Sequence, residues 1–100
     1  MKIFESFKES QNKTIWYIVK WDIDGNTETL KTYLSFDKDA IQKEFDQFAM
    51  ELEDDEELHF MKDDNKYIGE YILSVVKQKG QLKQEITKGN KTYYKKYEIK

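Results

Sequence analysis

A chain of 100 residues with 37% charged side chains and a net charge of −3 has room for one domain and one core. The absence of cysteine excludes a disulfide framework and a thiolate zinc site. All seventeen basic residues are lysines, so the bidentate clamping of phosphates, carboxylates and guanine edges at which arginine excels is absent.

The charge is polarised along the chain. Residues 1–36 and 65–76 each balance to zero, residues 37–64 carry −9, and residues 77–100 carry +6. Lys2, Glu5, Lys8 and Glu9 interrupt any signal-peptide apolar core, and no apolar run could cross a bilayer as a helix. A soluble cytoplasmic protein without a membrane role is expected.

In chain order, Lys2 to Glu9 reads as a short strand and Ser10 to Lys13 as a turn. Thr14 to Ile23 is the clearest strand. Ile15, Tyr17, Val19, Trp21 and Ile23 share one face, and Trp16 and Ile18 the other. Apolar residues on both faces suggest a central strand. Asp24-Gly25-Asn26 signals a hairpin turn, and Glu28 to Phe36 returns with Leu30, Leu34 and Phe36 on one face. The stretch beginning at Asp22 opens like a calcium-binding loop, but Thr27 stands where glycine is needed and Tyr33 where glutamate is needed. The turn reading is sufficient.

The spacing predicts a helix over about residues 37–53. Asp37 is placed to cap it, Asp39 lies in its first turn, and Ile41, Phe45, Phe48, Ala49 and Leu52 form one apolar stripe. Six carboxylates in seven positions follow, from Glu51 to Glu57. They sit at the helix end whose dipole disfavours anions. Beyond them, Leu58 to Met61 reads as a brief strand, Asp63 to Lys66 as a turn, and Tyr67 to Lys77 as a second strong strand. A final hairpin over about residues 82–99 turns at Lys88-Gly89-Asn90.

The expected architecture is a single α+β domain over residues 1–100. A mostly antiparallel, curled sheet of about six or seven strands packs on one amphipathic helix, in the order βββ-α-ββββ. One helix shields one sheet face, so Trp16 and Ile18 are expected on the opposite face. Curling, a homodimer or a protein partner must then cover them.

Nothing in the sequence assembles an active site. His59 is the only histidine, and no serine or threonine stands out by spacing as its nucleophile. Asp64-Asn65-Lys66, with Asp54 or Asp55, matches a metal-nuclease pattern only loosely, and the four glycines form no phosphate loop. We therefore expect no enzyme, no catalytic residues, no metal and no cofactor.

The leading reading is a small acidic inhibitor that occupies a basic, nucleic-acid-binding surface of a partner protein, such as a nuclease, by charge mimicry. Its candidate contacts are Asp46, Glu51, Glu53, Asp54, Asp55, Glu56, Glu57, Asp63 and Asp64. Small acidic phage proteins that block host nucleases and other defences are similar in size and charge, an analogy of class alone. The alternative is single-stranded nucleic-acid binding through Lys91, Tyr93, Tyr94, Lys95, Lys96 and Tyr97, where lysines would meet phosphates and tyrosines stack on bases.

Overall fold

A computed structural model of the chain describes residues 14–63 and 70–99, with Glu70 and Tyr71 as backbone alone. Six strands and one helix are described: β1 (Ile15–Trp21), β2 (Thr27–Tyr33), α1 (Lys38–Met50), β3 (Glu57–Asp63), β4 (Glu70–Gln78), β5 (Gln81–Lys88) and β6 (Lys91–Lys96). The strands form one antiparallel, curled sheet in the order β2-β1-β3-β4-β5-β6, and α1 packs on one face of it. This is the expected α+β layout from its second strand onward. The expected strand at Lys2 to Glu9, the turn from Asp64, and residues 67–69 of the Tyr67 strand lie outside the described residues.

The helix forms where its stripe and cap dictate. Asp37 has extended backbone, and its Oδ1 accepts a hydrogen bond from Ala40 N at 3.2 Å. Ile41, Phe45, Ala49 and Leu52 are buried, and they meet Ile18 of β1, Leu58 and Phe60 of β3 and Val75 of β4 in one cluster. Register explains the meeting: Ile18 pairs with Phe60 and Leu58 with Val75, so these side chains point to the same face. Burying a side chain such as Phe45, only 1% exposed, stabilises by roughly 1.5–3 kcal/mol.

The face assignment of β1 is the main correction. Ile18 is fully buried beneath the helix with Trp16 packed beside it, whereas Tyr17, Val19 and Trp21 lie on the outer face. Counting apolar residues favoured the wider stripe. Pairing with Leu58 and Phe60 decides the matter: it places Ile18 beneath the helix and leaves the neighbouring Tyr17 and Trp21 on the outer face.

Two bulges curve the sheet. Ile18 pairs with Lys31 but Val19 with Thr29, which leaves Leu30 as the extra residue of β2; Ile72 is likewise skipped in β4. β2 then stops at Tyr33. Leu34 and Phe36 are not strand residues: Leu34 is exposed, while Phe36 lies against Trp16 and Phe60.

Phe45→Ala empties the centre of this seam and is expected to destabilise the fold by about 3–5 kcal/mol in urea unfolding. A loss below about 1 kcal/mol would mean that the helix is not the centre of the core.

Candidate functional site

The acidic run is an ordered turn and not a loose loop. Leu52, 2% exposed, anchors it to the core. Glu53 and Glu56 close a turn on each other: Glu56 N donates to the Glu53 carbonyl (3.0 Å), and Glu53 N donates to Glu56 Oε1 (2.8 Å). Asp55 adopts φ 69°, a left-handed conformation that aspartate tolerates better than most residues. Its N–H donates to the Lys77 carbonyl (2.6 Å), and Lys77 N donates to the Glu56 carbonyl (3.0 Å). These two bonds tie the turn to β4.

Several of the acids therefore hold the fold. Asp54 Oδ1 accepts from Gly80 N at 3.0 Å, which fixes the tight β4–β5 turn. Lys79 and Gly80 both have positive φ there, as a two-residue hairpin of this twist requires. Glu56 faces Lys20 at 3.9 Å. Glu51, Glu53, Asp54 and Asp55 remain exposed, and Glu56 and Glu57 are half-buried.

Topology adds carboxylates that linear spacing did not. Trp21, the last residue of β1, pairs with both Glu57 and Thr27, so the β1–β2 turn stands at the same end of the sheet. It brings Asp22, Asp24 and Glu28. Asp22 shapes the turn by accepting from Asp24 N and Asn26 N, both at 2.9 Å, and the Asn26 backbone bond holds its carboxyl below the usual range. Asp24 and Glu28 are exposed. Lys77 and Lys79 border this acidic end on the β4–β5 side.

Two expected contacts do not belong to it. Asp46 is 4% exposed. Its Oδ1 accepts from the Tyr97 hydroxyl (2.6 Å) and from Gln42 Nε2 (3.0 Å), so it ties the helix to the chain after β6. Asp63 closes the far end of β3, about 20 Å from Glu57 at strand rise. Asp64 lies outside the described residues.

The basic hairpin is partly as expected. Lys91, Tyr93, Tyr94, Lys95 and Lys96 are all exposed on β6, an edge strand. Tyr97 is not available for stacking on bases. Its ring meets Phe45 edge-on, its hydroxyl accepts from Gln42 Nε2 (2.7 Å) and donates to Asp46, and burial together with Asp46 pushes its pKa far up.

A second feature occupies the outer face at the same end. Trp21, Glu57, His59, Ser74, Glu85 and Ile86 are among the residues around an open cavity of about 600 Å3. His59 is 7% exposed there. Its Nδ1 lies 2.9 Å from Ser74 Oγ, its Nε2 lies 3.3 Å from Glu57 Oε1, and its ring meets Trp21 edge-on at 5.9 Å. Ser74 is the partner that spacing could not reveal; it stands opposite His59 across the β3–β4 ladder, fifteen residues away. Burial lowers the His59 pKa, with Glu85 pulling it the other way.

Among the described residues, no three His, Asp or Glu side chains gather in a metal-holding group, and no helix is long and apolar enough to cross a membrane. No protein-family model, curated protein or solved structure matches the chain. The functional reading rests on geometry and charge.

Two measurements test this arrangement. Tyr97→Phe leaves Asp46 with one hydrogen bond fewer in a buried setting, and we expect a loss of about 1–3 kcal/mol in urea unfolding. A neutral result would mean that the hydroxyl contributes nothing to holding the helix.

The second uses pH. Because the folded His59 pKa lies below the ordinary 6.5, the unfolded chain binds the proton more readily. The stability contributed by the neutral imidazole is therefore complete above about pH 6.5 and is lost as pH falls toward the folded value. Between pH 7.5 and 5.5, wild type should lose more unfolding free energy than His59→Gln. Parallel losses would assign the effect to other groups.

Proposed function

We propose that this protein is a non-enzymatic binding protein whose acidic end occupies the basic, nucleic-acid-binding surface of a partner protein. The observation that supports this reading is the convergence of two separate acidic turns at one end of the sheet, with Asp24, Glu28, Glu51, Glu53, Asp54 and Asp55 exposed on pinned backbone. Carboxylates carried on a pinned backbone lose less entropy on binding than those of a loose loop, and a field of one sign steers a basic partner and speeds its association. Charges spaced along two turns imitate a phosphate backbone. A role as an inhibitor of a nuclease or another nucleic-acid-binding protein, of the kind phage proteins perform against host defences, follows as the class of activity.

One observation favours a second reading, single-stranded nucleic-acid binding. Tyr93 and Tyr94 are 42% and 47% exposed on an edge strand that also carries Lys91, Lys95 and Lys96. Aromatic faces beside lysines suit bases and phosphates. The same lysines also protect a free sheet edge from pairing with other chains.

The discriminating variant must spare the acids that hold the turn. Glu51→Lys, Glu53→Lys and Asp55→Asn together leave Asp54 on Gly80 and Glu56 on Lys20. In capture from nuclease-treated bacterial lysate, wild type should retain a basic nucleic-acid-binding protein that the triple variant loses, with association slowed at least about tenfold. Retention by neither chain, together with single-stranded DNA binding that weakens steeply with salt and is lost in Tyr93→Ala/Tyr94→Ala, would replace this reading by the second.

A further inference from the structure

We propose that the cavity bounded by Trp21, Glu57 and Glu85 receives the guanidinium group of an arginine on the basic partner. This rests on the acidic-end reading and names the anchoring contact within it. The cavity adjoins that end, because Trp21 leads into the β1–β2 turn and Glu57 closes the acidic turn.

Its chemistry selects the occupant. The only charged side chains among its described lining residues are the carboxylates of Glu57 and Glu85, one on each side of β4. Glu57 uses Oε1 on His59, and its side chain is 40% exposed. Glu85 has no lysine within ion-pair distance among the described residues, although Lys83 and Lys96 stand in the adjacent cross-strand row. The Ser74 and Thr87 hydroxyls and the Gln84 amide add acceptors, while Ile72 and Ile86 add apolar wall.

An arginine side chain matches this set better than a lysine. Its planar fork donates five hydrogen bonds, pairs with carboxylates two bonds at a time, and stacks on aromatic rings. Trp21 is the best of the aromatic side chains for such a cation. The three methylenes fit against isoleucine while the head stays on the carboxylates. Arginine and tryptophan are also the residues around which binding energy concentrates in protein interfaces. The exposed turns steer the partner, and the cavity holds it.

The test uses N-acetyl-L-arginine amide as the probe and Trp21 fluorescence as the readout, in a Trp16→Phe background so that one indole reports. A saturable change is expected, weakened about tenfold or more by Glu57→Gln and by Glu85→Gln, with no saturable response to N-acetyl-L-glutamate amide. The glutamine at position 57 can still accept from His59, which keeps that contact. Absence of saturation, an equal response to the glutamate amide, or indifference to both substitutions would overturn the proposal.

The capture experiment separates the two ideas. Arginine-amide binding with no captured partner removes the acidic-end reading and leaves the guanidinium site standing. A partner lost by the triple variant but held by Glu57→Gln/Glu85→Gln, with no amide binding, removes the site and keeps the reading.

Discussion

The constraint on which the structure depends is that, among the described residues, one helix must serve a six-stranded sheet. Helix α1 and the turn after it offer a single stripe of Ile41, Phe45, Ala49 and Leu52, and the centre of the sheet supplies Ile18, Leu58, Phe60 and Val75 against it. Toward the edges, Leu30 and Tyr33 of β2 and Tyr97 after β6 pack against the rim of this cluster. Polar links to the helix reinforce them: Lys31 of β2 pairs with Glu44, and Tyr97 reaches Asp46 and Gln42. Apolar packing fixes the middle, and packing joined to a few polar links fixes the flanks. A buried carboxylate such as Asp46 is tolerated because Tyr97 and Gln42 both donate to its Oδ1.

The same constraint shapes the outer face. With the helix on one side, Tyr17, Val19, Trp21, His59 and Val76 lie on the opposite face, where among the described residues the curl of the sheet limits their contact with water. Val19 and Val76 are nevertheless 6% and 7% exposed. Around them the curl leaves a cavity with both apolar and polar walls. The two bulges, at Leu30 and Ile72, supply part of that curvature.

Much of this was legible in the sequence, and what was hidden has physical causes. The helix, its Asp37 cap, the hairpin turns and the antiparallel strands follow from local rules, which act over a few residues. The buried face of β1 does not, because both its faces are apolar and the choice lies with β3, some forty residues on. Asp46 and Tyr97 carried no local mark of burial, since each was explained as a surface residue by its charged neighbours. Ser74 beside His59 and the β1–β2 turn beside Glu57 are products of register, which a one-residue slip would abolish. Of the acidic site, the run itself was visible, and its division into structural and free carboxylates was not.

That division bears on function. Asp37 and Asp39 sit at the helix start, where the dipole favours them and where Asp37 caps the backbone. Glu51, Glu53 and Asp55 sit past the opposite end, with no basic residue in the last turn, and their carboxylates make no hydrogen bond or ion pair among the described residues. Glu51, at the C-cap, costs a few tenths of a kcal/mol or more there. The carboxylates of Asp54 and Glu56 have partners inside the fold; the carboxylates of these three do not. Carboxylates without a partner inside the fold are the ones available to the contact proposed above, since local rules are most often broken where a site requires it. The free carboxylates, more than the acidic run as a whole, are therefore the residues on which the proposed partner contact rests.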